Sequence, residues 1–371
     1  MSEEQKDSAS TKRENKLVRP ALIASKYTVS EYSVFLRHLL VGLADESIPL
    51  VLVCPPGCDV DSIISPSVEI IRYPALDLPL LGLYNRKILI EQLAKFSPSV
   101  LHSLCEKDGC LGRQLAMRLD LPYVLTVSSL QRRFGQVYLS SRHLAKIITP
   151  TKSIASNIVE VYQRFSERIE QINVGTFVDE TVGCFREPGR PANMVVAVPL
   201  RSTGELENLF SAVRHLAINR YEFMLVIMVA GRAERGLRGL LAELGLSQLA
   251  IIVPRLEPWR NVLAAADIFI QPVASRAFDP LLLEAMSGGT AVAACKGGVD
   301  DLIIEGQTGV IFDGDDELSI RGALQRLLDR REWARQLAKA GQQYLRKNHT
   351  VSKMVAATLQ SYRDAMQWYG G

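Results

Sequence analysis

Phe278-Asp279-Pro280-Leu281-Leu282-Leu283-Glu284-Ala285-Met286-Ser287-Gly288-Gly289, continued by Ala291-Val292-Ala293-Ala294-Cys295-Lys296-Gly297-Gly298-Val299-Asp300-Asp301, reads as a short helix, a Gly-Gly turn, a buried strand and a loop opened by a second glycine pair. Asp279 is a good N-cap, and Pro280 suits the first helical position because its missing N–H would have no partner there. Glu284 follows an apolar triplet on the first turns of that helix. A carboxylate on an otherwise apolar element is paired or binds something, since burying it bare is costly.

The same alternation of short apolar runs and helical patterns extends in both directions, which predicts parallel sheets with helices on both faces. Before the quoted stretch, strands are expected at 21–24, 50–53, 68–71, 100–102, 123–127, 146–148 and 168–172. Thr28 and Glu31 have the spacing of a capping box ahead of a helix carrying Val34, Phe35, Leu39 and Leu43. Residues 179–191 hold Gly183, Pro188, Gly189 and Pro191 and read as a linker. The alternation restarts beyond it, with strands at 194–198, 223–229, 250–253, 268–271, 290–294 and 310–312, then three helices to the end. The expected organisation is a disordered tail over 1–17, a first domain over 18–180, a linker at 181–191 and a second domain over 192–351. A last helix, 352–371, is expected to join the first domain.

Length and composition agree with two soluble domains. A chain of 371 residues exceeds what one core supports. A net charge of +3 argues against nucleic acid as the main partner, because duplex binding needs a concentrated basic face. No apolar run is long enough to span a bilayer, and the polar start lacks the apolar core of a signal peptide, so a cytoplasmic location is expected. Cys54, Cys58, Cys105, Cys110, Cys184 and Cys295 lack zinc-site spacing and read as reduced thiols. Asp313-Gly314-Asp315-Asp316 reads as a turn with an N-cap rather than a metal cluster.

The quoted stretch resembles the nucleotide-sugar half of the group-1 (family-4) glycosyltransferases, whose signature is an acid, seven residues, then Glu-Ala-Met and a Gly-Gly loop. Ser97 to Ser103, Ile172 to Asp179, Leu263 to Pro272 and Gly306-Gln307-Thr308-Gly309 are similar to further family segments in the same order. The resemblance implies a GT-B fold: two Rossmann-like α/β domains facing a cleft, the last helix crossing back to the first domain. It implies transfer of a sugar from a nucleotide-diphosphate sugar to a glycan or lipid-linked acceptor, without cofactor or metal and with retention of configuration. The implied donor-binding residues are Glu284 on the ribose, Phe278, Asp279, Arg255, Gly297, Gly298, Lys26 and Thr28, with His102 and Ser128 on the acceptor side.

The departures from the family pattern are equally specific. Pro199 and Gly204 stand where the family has its Arg and Lys, leaving Arg201 and Arg276 as the cations expected to meet a departing diphosphate. Arg276 replaces the first acid of the motif, Asp279 replaces a glycine, and Ser128 falls where several members have a histidine. His102 sits on a buried strand, where a histidine is more often part of the core than a catalyst. Arg132, Arg133, Arg142 and Lys146 with Phe134 and Tyr138 form a basic-aromatic patch that would meet the inner membrane face or an acidic acceptor; a solvated face is its plainer reading. Two alternatives stand beside the transferase: a GT-B protein that binds a nucleotide, glycan or partner enzyme without turnover, and a GT-B-type nucleotide-sugar epimerase.

Overall fold

A computed structural model describes residues 17–60, 68–73, 79–132, 139–187, 189–197, 203–229, 233–254 and 259–370. Residues 1–16 of the expected tail (1–17), and Pro188, Pro199, Arg201, Arg255, Arg133, Phe134 and Tyr138, lie outside the described residues.

The first sheet contains β1 (Pro20–Ile23), β2 (Val51–Cys54), β3 (Glu69–Arg72), β4 (Val100–Ser103), β5 (Tyr123–Thr126), β6 (Leu144–Thr149) and β7 (Ile169–Gln171). Its order is β3-β2-β1-β4-β5-β6-β7, all pairs parallel. The second sheet, β10-β9-β8-β11-β12-β13, is also parallel. It contains β8 (Ala192–Ala197), β9 (Phe223–Val229), β10 (Ala250–Pro254), β11 (Ile268–Gln271), β12 (Ala291–Cys295) and β13 (Val310–Phe312). The central strands β1, β2, β4, β5 and β11 are buried at every residue, because helices cover both faces. In each sheet the order reverses at one point, β1/β4 in the first and β8/β11 in the second. Doubly wound sheets hold ligands outside the carboxyl ends of the strands at that point.

The helices of the first domain are α1 (Lys26–Glu31), α2 (Ser33–Asp45), α3 (Pro79–Phe96), α4 (Gly109–Leu119) and α5 (Lys152–Val161). Those of the second are α6 (Glu207–Ile218), α7 (Ala233–Glu243), α8 (Trp259–Ala264), α9 (Pro280–Ser287), α10 (Glu317–Asp329) and α11 (Arg331–Asn348), and α12 (Val351–Gly370) follows. The capping box expected at Thr28 and Glu31 is not what starts the first helix. Ser25 is the N-cap, its Oγ accepting from the Thr28 N–H, and the chain breaks at Tyr32 before α2 begins.

α12 leaves the second domain and packs on the first, against α2, β6 and β5. Its buried face includes Met354, Val355, Leu359, Tyr362 and Ala365. Gly42 of α2 permits the approach, since a Cβ there would collide with Val355 Cγ2. Tyr362 reaches the core of the first sheet, its hydroxyl 2.7 Å from His102 Nδ1, while His102 Nε2 is 2.8 Å from Thr126 Oγ1. Burial pushes the imidazole down to about 3, so the ring is neutral and both nitrogens are satisfied. Tyr362→Phe should therefore strand one buried nitrogen and cost about 1–3 kcal/mol. Thermal unfolding checks it: an unchanged Tm would contradict the role given to this contact.

Candidate functional site

The carboxyl-end loops of the two sheets meet. Residues 128–130, after β5, pair with residues 276–278, after β11, through an antiparallel bridge between Ser129 and Ala277. Phe278 N–H donates to Ser128 O at 2.8 Å and Leu130 N–H to Arg276 O at 2.8 Å. Tyr32 Oη donates to Phe278 O at 3.0 Å. Further along the cleft, the Asp301 carboxylate accepts from Lys152 N–H (2.5 Å) and Ser153 Oγ (3.0 Å), capping the start of α5 from the opposite domain. Apolar packing is continuous across this junction, with Phe278, Leu281 and Leu282 in one cluster with the first-domain core.

On the first-domain side, two carboxylates organise the loops. Asp108 accepts from Ser25 N–H (3.0 Å) and Thr28 Oγ1 (3.3 Å), fixing the turn that begins α1. Burial raises its carboxyl to about 6. Glu106 accepts from Ser128 N–H (3.1 Å), Ser128 Oγ (3.3 Å) and Ser129 Oγ (2.5 Å). Thr28 and Ser128 are thus buried and bonded to acids, while Lys26 is exposed at the first turn of α1. Lys107 Nζ lies 3.4 Å from the Tyr27 ring centroid. Neither Glu106 nor Asp108 stood out in the sequence. Their position just past β4, at the reversal of strand order, was the available signal.

On the second-domain side, Asp279 caps α9 as expected, its Oδ1 accepting from Leu281 N–H at 2.9 Å. Asp300 Oδ1 accepts from Asp279 N–H at 3.0 Å, and Gln271 Nε2 donates to both carboxylates, at 3.3 Å to Asp279 and 3.2 Å to Asp300. Two backbone donors at the α9 start are therefore held by the protein's own acids. Gly297 and Gly298 lie on the loop beside this group. A Cβ on Gly298 would be 3.6 Å from Ser275 N and 3.8 Å from Gln271 Oε1, and Gly297 has φ +83°. Burial, and then the neighbouring Asp279 charge, raise the Asp300 carboxyl to about 7.

That shift has a consequence for stability. The folded state keeps a proton on Asp300 up to about pH 7, whereas an unfolded aspartate releases it near 4. Between these values the native chain binds more protons, so stability falls as pH rises from about 4 to 7. Asp108 contributes in the same direction up to about 6. Asp300→Asn is expected to flatten this fall in Tm across pH 4–7 relative to wild type. Parallel profiles for the two proteins would contradict it.

Glu284 is 3 % exposed, and its Oε1 accepts from Thr176 Oγ1 at 2.7 Å. Thr176 belongs to the segment joining the domains. Its N–H donates to His349 O, and it pairs with Thr350 in a parallel bridge. Glu284 is thus gripped from the hinge. Arg276 is exposed at the cleft, its carbonyl used by Leu130. His102 is enclosed rather than presented, although it lines a small, mostly apolar cavity of about 30 Å³ with Tyr32, Phe35, Ser128 and Phe278. The described part of the basic-aromatic patch is partly neutralised: Lys146 pairs with Glu170 and Asp364, and Arg142 with Asp120. Asp316 caps α10, and Lys296 pairs with Asp313, so that acidic turn is structural. Among the described residues no group of three or more His, Cys, Asp or Glu is placed to hold a metal ion, and no helix is long and apolar enough to cross a membrane.

The family model described as Glycosyl transferases group 1 matches residues 198–330. A D-inositol 3-phosphate glycosyltransferase from Acidothermus cellulolyticus is 27% identical over 62% of this chain and 59% of its own length, so that alignment spans about three fifths of the relative. Another protein of that name, from Pseudarthrobacter chlorophenolicus, is 25% identical over 91% of both chains. The structure of Anabaena HepE in complex with UDP and glucose covers 93% of this chain and is itself covered completely, with a TM-score of 0.73 at 13% identity, a likeness of fold. With two parallel-sheet domains meeting at their carboxyl ends and the last helix returned to the first, the chain has the GT-B fold, and its residues 198–330 match the group-1 glycosyltransferase model.

Proposed function

We propose that the chain moves a sugar from a nucleoside-diphosphate sugar to a hydroxyl of a glycan or lipid-linked acceptor, without a metal and with retention of configuration. The observation that carries this reading is Glu284, an acid buried on α9 within a family-matched segment and bonded to Thr176 of the segment joining the domains. HepE, of the same fold, is described with UDP and glucose, which supports a nucleoside-diphosphate donor. The curated relatives are named for D-inositol 3-phosphate. Here the first-domain loops carry Glu106 and Asp108, and their charge disfavours a phosphorylated acceptor, which favours a neutral hydroxyl. Charge developing on the departing diphosphate would fall to the exposed Lys26 and Arg276 and to Arg201.

A second reading, a nucleotide binder without turnover, is favoured by one observation: Asp279 and Asp300 occupy backbone donors at the start of α9. Calorimetric titration with UDP, GDP and ADP, followed by a donor-hydrolysis assay, separates the two. Binding with hydrolysis supports the transferase, binding alone supports the second reading, and no binding overturns both. Arg276→Ala is expected to lower turnover about a hundred- to a thousand-fold, the usual effect of losing one fixed charge-stabilising group, with little change in Tm. Full activity in that variant would remove Arg276 from the reaction.

A further inference from the structure

The two chain crossings between the domains run side by side. Thr176 N–H donates to His349 O at 2.8 Å, His349 Nδ1 donates to Val174 O at 3.0 Å, and His38 Nδ1 donates to Gly175 O at 3.1 Å. Beyond Thr176 the chain runs along the far end of α9. Asp179 N–H donates to Ser287 O at 3.0 Å, and Gly183 N–H to Gly288 O at 3.2 Å. Gln342 of α11 fastens the same place, its Nε2 within 3.1 Å of Ser287 O and Asp179 O. The hinge segment therefore holds α9 at its carboxyl end through backbone bonds and at its middle through the Thr176 side chain. That side chain is 3 % exposed and bonds the carboxylate of Glu284 at 2.7 Å.

A hydroxyl donating to a buried carboxylate fixes where its oxygens point, and charge-assisted bonds of this kind are short and strong. A backbone contact would hold the helix without fixing the acid. From this arrangement we infer that Thr176 is a positioning residue of the donor site: it sets the Glu284 carboxylate for the donor's ribose and ties that orientation to the hinge. The inference rests on the donor reading of Glu284 given above. It adds a residue outside the α9 motif, on the segment whose geometry changes whenever the two domains move.

The test is a double-mutant cycle read by calorimetric titration with UDP, with GDP and ADP as parallel probes, and Tm recorded for every protein. Thr176→Val keeps the shape and removes the donor, so nucleotide affinity is expected to fall about ten-fold, the scale of one charge-assisted hydrogen bond. Thr176→Ser restores the hydroxyl and should bind within a factor of three of wild type. In a Glu284→Gln background, Thr176→Val should cause little further loss, because the two act as one unit. A purely structural role for Thr176 would instead give the same loss in both backgrounds, and that additivity overturns the inference. So does wild-type affinity in Thr176→Val; in either case nucleotide binding by the wild type leaves the donor reading standing. If the wild type binds none of the three nucleotides, the donor reading fails and the inference falls with it.

Discussion

Glu284→Ala is expected to lower nucleoside-diphosphate affinity by about ten- to a hundred-fold, the range set by hydrogen bonds from ligand hydroxyls to a charged acceptor. The loss should be larger than for any exposed residue of the cleft, because the acid is 3 % exposed and already oriented by Thr176. The variant also leaves the Thr176 hydroxyl without this acceptor in a buried setting, at about 1–3 kcal/mol. Tm should therefore fall modestly while the circular-dichroism spectrum keeps its native form. Titration at a temperature well below the mutant's Tm separates the two effects. Equal affinity in wild type and variant would exclude Glu284 from the donor site.

Gly175→Ala is expected to be the most damaging single methyl group in the hinge. Its Cβ would stand 2.7 Å from Val351 Cα and 2.8 Å from both Thr350 O and Val351 N, all backbone atoms that cannot rotate away. The crossings must separate, which breaks the Thr176–His349 pairing and disturbs the seat of α12. Overpacking of this kind costs about 1–3 kcal/mol, here with backbone rather than side chains resisting. A lower Tm and a larger radius of gyration by solution scattering are expected. Gly322→Ala is the control: that glycine lies within α10 with no atom near its added Cβ, and alanine there should be neutral or stabilising by up to about 1 kcal/mol. Similar losses in the two variants would mean that the hinge approach is not what Gly175 protects.

The two-sheet architecture was legible because it depends on local signals. Apolar runs such as Val51–Cys54 and Ile268–Gln271 cannot be surface strands, and their alternation with helical patterns leaves few ways to cover both faces. The α9 segment was equally plain, since Asp279, Pro280 and the Gly288-Gly289 turn fix its ends within the sequence itself. The first helix was misread because Thr28 and Glu31 have capping-box spacing, whereas Asp108, eighty residues away, binds Thr28 and helps set the turn around Ser25. The same limit applies to the site. Glu284 could be singled out as a lone acid on an apolar helix, yet its partner Thr176 is 108 positions away. Asp300 looked like a loop aspartate, and only the fold brings it against Asp279 and Gln271. Side chains whose role depends on two distant segments leave no periodic trace for a single sequence to show.

The return of α12 to the first domain has a consequence for the order in which the protein can be made. The first sheet is complete once residue 171 has been synthesised, but the cover over β5 and β6 and the hydroxyl that meets His102 come from residues 351–370. A growing chain must therefore carry its first domain with an apolar face unprotected while the whole second domain emerges from the ribosome. At ordinary elongation rates of about 5–20 residues per second, that interval lasts roughly ten to forty seconds. During it, the uncovered face is open to chaperones and to mispairing with neighbouring chains, and a truncation before residue 351 would make the exposure permanent.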